Sequence, residues 1–209
     1  MVKINAFERH AAEYEGWFDD YHYVYESELE ALKLLLPEGG SGLEIGMGTG
    51  RFALPLGIEF GVEPAKAMAD RARAKKLQVV RGVGEALPFA NAGFDKVLFV
   101  TSVCFLDSVD RAFQEAFRVV RTGGALLVGF IDKDSFLARK YEKRKKESLY
   151  YREANFHSVK EILGYLEKAG FRDFKVVETI FRPLDEITAR EPIKEGYGEG
   201  AFVVARAIK

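Results

Sequence analysis

Apolar residues recur among charged ones from residue 6 to residue 36, and ESELEALKLLL at 26–36 carries a leucine stripe at positions 29, 32, 35 and 36. That spacing predicts helix, stopped by Pro37 and the Gly39-Gly40 pair. Past the stop the period changes. Residues 42–45 (GLEI) make a short strand that runs straight into glycines 46, 48 and 50. The pattern then alternates: strand at 58–62, Ala-rich helix at 65–75, strands at 78–81 and 94–100, helix at 111–120 and strand at 125–131. Parallel neighbours need crossovers, and right-handed crossovers pack helices back onto the sheet. The series therefore predicts an α/β fold, a parallel sheet with helices on both faces and a ligand at the carboxyl ends of its strands.

Beyond residue 131 the character shifts. Lys or Arg stands at 139, 140, 143–146 and 152 with aromatic residues at 136, 141, 150 and 151, which marks 134–152 as a lid or surface helix. Residues 158–168 form a helix with Ser158 as N-cap and Gly170 as its left-handed stop. Strands at 174–181 and 201–207 follow, separated by a polar connection without a helix, so they are expected to pair antiparallel at one sheet edge.

Composition narrows the partners. Thirty-one basic against thirty-two acidic residues leave a net charge of −1, so no global field attracts a polyanion or a membrane surface. Cys104 is the only cysteine, which excludes an intramolecular disulfide and a thiolate-rich metal site and suits the cytoplasm. No apolar stretch reaches the ~18 to 20 residues of a membrane span, and the first residues do not read as a cleaved leader. Glutamine occurs only at 78 and 114 and asparagine only at 5, 91 and 155, a scarcity that thermophilic proteins favour.

The chemistry concentrates in Glu44-Ile45-Gly46-Met47-Gly48-Thr49-Gly50, with Glu63-Pro64 at the end of the next strand. Glycines let a ligand approach the backbone, and turn amides offer donors to a carboxylate or phosphate. Glu63 lies nineteen residues after Glu44, close to the ~20-residue offset at which an acid meets ribose hydroxyls. Bulky Arg51 occupies the position where the dinucleotide fingerprint needs Gly or Ala, which argues against a nicotinamide cofactor and an oxidoreductase.

In these residues the chain resembles the class I S-adenosylmethionine-dependent methyltransferases, in particular the type 11 group with its small-molecule and quinol-methylating enzymes. The resemblance rests on LEIGMGTGRF at 43–52, GVEPAKAM at 61–68, GVGEALPF at 82–89, FDKVLFVTSVCFLDS at 94–108 and EAFRVVRTGGALLV at 115–128. It implies one domain over 1–209 with a Rossmann-like doubly wound, mostly parallel seven-stranded sheet and an antiparallel C-terminal edge strand. Residues 1–36 would be a helical lid and 132–156 an acceptor-side insertion. It also implies S-adenosylmethionine as cofactor and S-adenosylhomocysteine as product. Glu44, Gly46, Met47 and Gly48 would lie against the methionine part, Glu63 would bind the ribose, and Pro64 with Met68 would flank the adenine. Gly84 and Glu85 fall on the loop at the adenine edge, and Thr101 falls where backbone groups meet the amino group. Two departures stand out: Val83 sits where the family often has an acid, and 51–58 is short enough to stunt the first crossover helix.

Function then reads as in-line transfer of the methyl group to a small-molecule acceptor, an amine, phenol or quinol-type nucleophile. The alternatives are a non-catalytic sensor or partner subunit that binds the cofactor, or an RNA methyltransferase, which the charge balance disfavours. Tyr14, Trp17 and Tyr21 are candidates for an aromatic lid over the acceptor. Glu13, Glu15, Asp19 and Asp20, with the basic run, complete the polar groups around it. His10, His22 and His157 show no metal spacing, no metal is implied, and no residue is named as a base.

Overall fold

The computed structural model describes residues 4–209. Eight strands form one sheet: β1 (Gly42–Ile45), β2 (Phe60–Val62), β3 (Gln78–Val80), β4 (Phe94–Val100), β5 (Val120–Ile131), β6 (Arg172–Thr179), β7 (Lys194–Glu195) and β8 (Phe202–Ile208), in the order β3-β2-β1-β4-β5-β8-β6-β7. The first five pair parallel, and β8 runs antiparallel to both β5 and β6. The fold class is as the sequence implied, with two differences. The sheet gains β7, two residues beside β6. The antiparallel C-terminal strand lies inside the edge, because both faces of its run FVVARAI are buried, whereas the first half of β6 is exposed.

Alternate residues of the central strands feed two apolar layers. Leu98 and Val100 face α3 (His22–Leu35) and α4 (Lys66–Ala74), while Val97 and Phe99 face α5 (Val109–Val119) and α7 (Val159–Ala169). Ser158 caps α7 in a full capping box with Glu161, and Gly170 ends it at φ 105°, as the sequence predicts. The crossover between β1 and β2 is indeed stunted, reduced to turns over 51–57.

The helical stretch expected over 6–36 is three helices: α1 (Asn5–Arg9), α2 (Ala11–Asp20) and α3. His10 and Tyr21 leave helical geometry, with φ −125° and −114°. α2 buries Ala11 and Phe18, whereas α3 buries the broader face of Val24, Ser27, Glu28, Leu29, Ala31, Leu32 and Leu35.

Candidate active site

The carboxyl ends of β1, β2 and β4 converge on the glycine turn. Gly46 and Gly48 follow β1 with φ 75° and 58°. A Cβ at Gly46 would lie 2.5 Å from the Ser102 Cβ, so space as well as conformation requires glycine. The Ser102 hydroxyl donates to the Ile45 carbonyl at 2.8 Å and ties the ends of β1 and β4 together. Beside it Thr101, a non-glycine residue at φ 49°, donates its amide to Gly129 O at 2.8 Å. Such a backbone costs about 1 to 3 kcal/mol and persists where its surroundings over-determine it, commonly at ligand sites.

The turn is fastened to β2. The Gly46 and Met47 amides donate to Val62 O at 2.8 and 3.1 Å, and the Gly48 and Ala65 amides donate to the two carboxyl oxygens of Glu63, each at 2.8 Å. Burial pushes the Glu63 carboxyl up to about 7, against the pull of those two amides. Glu44 is buried behind the turn, and its Oε2 has no hydrogen-bond partner among the described residues. Burial, and then the charge of Glu63, hold its carboxyl well above the usual range.

A cavity of about 310 Å³ opens in front of the turn, a size suited to small molecules. Gly46, Gly48, Glu63, Pro64 and Met68 line one end, with Gly84, Glu85 and Thr101 beside them, and Tyr14 and Trp17 cover it. Glu44, Met47 and Tyr21 lie outside the lining. The Met47 side chain packs on Gly61, and Tyr21 lies against Trp17 with ring centroids 5.4 Å apart and planes tilted by 37°. Glu85 Oε1 accepts the Asp107 and Ser108 amides at 2.8 and 3.1 Å, anchoring its loop to the start of α5. Val83 is at the mouth, 47% exposed.

The two segments expected on the acceptor side meet over this cavity. The Tyr150 hydroxyl donates to His10 O at 2.8 Å, at the joint between α1 and α2. Glu15 latches α2 to the glycine turn: its carboxylate accepts from the Thr49 hydroxyl, from Arg51 Nε at 2.8 Å and from Lys75 Nζ at 3.5 Å. Glu13, Asp19 and Asp20 are exposed. In α6 (Phe136–Lys143) the basic residues 139, 140 and 143 face water, while Tyr141 faces the cavity and stacks on Tyr151 at 4.6 Å and 18°. Phe105 stacks on the same Tyr151.

Sequence reasoning missed Glu28. It stands on the inward stripe of α3, lines the cavity at 5% exposure and has no hydrogen-bond or ion-pair partner among the described residues. Burial pushes its carboxyl up to about 8. An acid on the apolar face of an amphipathic helix was the available signal. Among the described residues lining the cavity there is no Lys, Arg or His, while Glu28, Glu63, Glu85 and Asp107 are all present. No metal-binding cluster occurs among the described residues, and the buried Cys104 thiol donates to Thr101 O at 3.6 Å.

A parallel sheet with a glycine turn after its first strand and a buried acid after its second defines a Rossmann-like nucleotide-binding domain, here joined to an aromatic chamber. A family model described as a methyltransferase domain matches residues 43–128. A structure of an S-adenosylmethionine-dependent methyltransferase from Thermotoga maritima, named as a possible histamine N-methyltransferase, is 50% identical and superposes with a TM-score of 0.96 over 99% of each chain. An uncharacterized protein of Methanocaldococcus jannaschii is 44% identical over 206 residues, 99% of this chain and 100% of its own. A malonyl-[acyl-carrier protein] O-methyltransferase of Geobacter sulfurreducens is 29% identical over 98% of this chain and 84% of its own. The chain belongs to the class I S-adenosylmethionine-dependent methyltransferases, in the type 11 group. It is an enzyme, and S-adenosylmethionine is its cofactor.

Proposed function

We propose that the enzyme methylates a small-molecule acceptor, a nucleophile of the amine, phenol or quinol type, enclosed in the aromatic chamber beneath α2. The observation that carries this reading is the continuity of one cavity, from Gly48 and Glu63 at one end to Tyr141 and Tyr151 under the lid. The residues fit the cofactor. Glu63 offers a buried carboxylate to the ribose hydroxyls, Pro64 and Met68 offer apolar walls to the adenine, and Gly46 and Gly48 leave room for close approach. Gly84 and Glu85 border the adenine edge, Thr101 borders the amino group, and the unpartnered Glu44 oxygen lies behind the turn that would carry the methionine part. Bound there, the cofactor supplies an electrophilic methyl carbon on a sulfonium. The protein's share is position and the exclusion of water.

The outward direction of the basic run leaves the cavity without a cation for a phosphate backbone, which favours a small acceptor over RNA. Among the described residues no helix is long and apolar enough to cross a membrane. The name of the Thermotoga relative falls within the amine part of this range. A radiolabelled methyl-transfer screen over amines, phenols, quinols and bulk tRNA or rRNA tests the reading. Label is expected in a small acceptor; label confined to RNA would refute it.

A further inference from the structure

The chamber's charge and lining select among acceptors. Glu28 projects from α3 into a space walled by Tyr14, Trp17, Tyr141 and Tyr151, and among the described residues nothing in the protein neutralises it. A buried carboxyl that no protein group satisfies costs free energy, and a ligand cation is the partner that would recover it. The aromatic walls of that space exclude water, and a low dielectric strengthens the attraction between a carboxylate and an ammonium. An anionic acceptor would find no counter-charge, because no Lys, Arg or His lines the cavity among the described residues.

We propose that Glu28 is a catalytic residue that receives the ammonium group of a cationic amine acceptor and takes the proton that its nitrogen must lose. The inference rests on the small-molecule methyltransferase reading and narrows it to amines. The balance is simple. An N–H proton passes from the ammonium to the Glu28 carboxylate and leaves a neutral amine. The nitrogen lone pair then forms the new N–C bond to the methyl carbon, while the methyl–sulfur bond breaks and its electron pair stays on sulfur. The product is a methylated ammonium, a thioether and a protonated Glu28, which returns its proton to water.

With no cation beside it, burial keeps Glu28 protonated to about pH 8. The titratable groups that feel its charge are Tyr14 on α2, Tyr25 on α3, Tyr141 on α6 and Tyr151, all phenols that burial pushes upward, so none of them titrates near neutrality. Seating an ammonium beside Glu28 ionises it, and at pH 7 about one proton is expected to leave per amine bound.

The test is calorimetry on the protein saturated with S-adenosylhomocysteine, in buffers of different ionisation enthalpy. The probes are phenethylamine, tyramine and putrescine, each beside its alcohol and carboxylate isosteres. At least one amine is expected to bind tenfold or more tighter than its isosteres with release of about one proton. E28Q is expected to lose both the preference and the proton release while holding S-adenosylhomocysteine within about threefold, which shows that the variant is folded. Amines that bind no tighter than their isosteres, absence of binding by all three included, overturn the assignment. So does an E28Q protein that keeps the preference and the proton release. Failure of S-adenosylhomocysteine to bind the wild-type protein would overturn the cofactor reading beneath it, a separate and visible result.

Discussion

Glu63→Ala is expected to weaken S-adenosylhomocysteine roughly a hundredfold. Two hydrogen bonds from ribose hydroxyls to a charged acceptor contribute at least about 1.5 kcal/mol each, and about 3 kcal/mol is two decades of affinity. Glu63→Gln should lose roughly tenfold or more, since one of its two oxygens becomes an amide nitrogen that cannot accept and that faces the Gly48 or Ala65 N–H. Affinity should also depend on pH in a defined direction. Burial lets Glu63 hold its proton up to about pH 7, so ionisation is part of binding below that value; affinity rises with pH to about 7 and levels off above. The linkage to folding has the opposite slope. The folded chain holds this proton more tightly than the unfolded one, so Glu63 contributes stability below pH 4.5 that is lost as pH rises through about 7. Titration calorimetry of both variants between pH 5.5 and 8.5 checks these points. Unchanged affinity in the alanine variant would remove Glu63 from the site.

Gly46→Ala and Gly48→Ala are expected to fail in different ways. At Gly46 the added Cβ meets Ser102 at 2.5 Å, and Ser102 is held by its bond to Ile45 O. The left-handed backbone adds about 1 to 2 kcal/mol and the overlap about 1 to 3 kcal/mol, so a loss of roughly 2 to 5 kcal/mol is expected. For a chain of this length that lowers Tm by roughly 5 to 15 °C. At Gly48 the added Cβ finds only Tyr14 Oη at 3.8 Å, so the fold loses only the backbone term, about 1 to 2 kcal/mol. Its methyl group nevertheless occupies the cavity wall beside Glu63. Thermal unfolding should therefore register Gly46→Ala most strongly, and S-adenosylhomocysteine binding should fall in Gly48→Ala by more than its stability loss explains. Equal melting temperatures for Gly46→Ala and wild type would contradict the packing argument.

Much of this was legible in the residues themselves, because strand and helix periods alternate cleanly from Gly42 to Ile131 and a strand-to-glycine turn has few structural meanings. The position of β8 inside the sheet is also written in its residues. A run such as FVVARAI, apolar on both faces save for Arg206, belongs inside a sheet, while RDFKVVET, polar in its first half, belongs nearer an edge. The two-residue β7 carries no periodic signal at all. Neither Pro nor Gly stands at His10 or Tyr21 to announce the two helix breaks, and local propensity does not record them. Glu28 hid among Glu26 and Glu30, which resemble it in sequence; only the register of the stripe separates the inward acid from its neighbours. Glu15, expected among the polar groups around the acceptor, is bound instead to Thr49, Arg51 and Lys75 and ties α2 to the glycine turn.

The most direct measurement is a crystal structure of the protein with S-adenosylhomocysteine bound. The account predicts ribose hydroxyls on the Glu63 carboxylate, adenine between Pro64 and Met68, and the sulfur facing an open chamber bounded by Tyr14, Trp17, Tyr141, Tyr151 and Glu28. A nucleotide seated away from Glu63, or a sulfur facing packed side chains with no room for an acceptor, would contradict it.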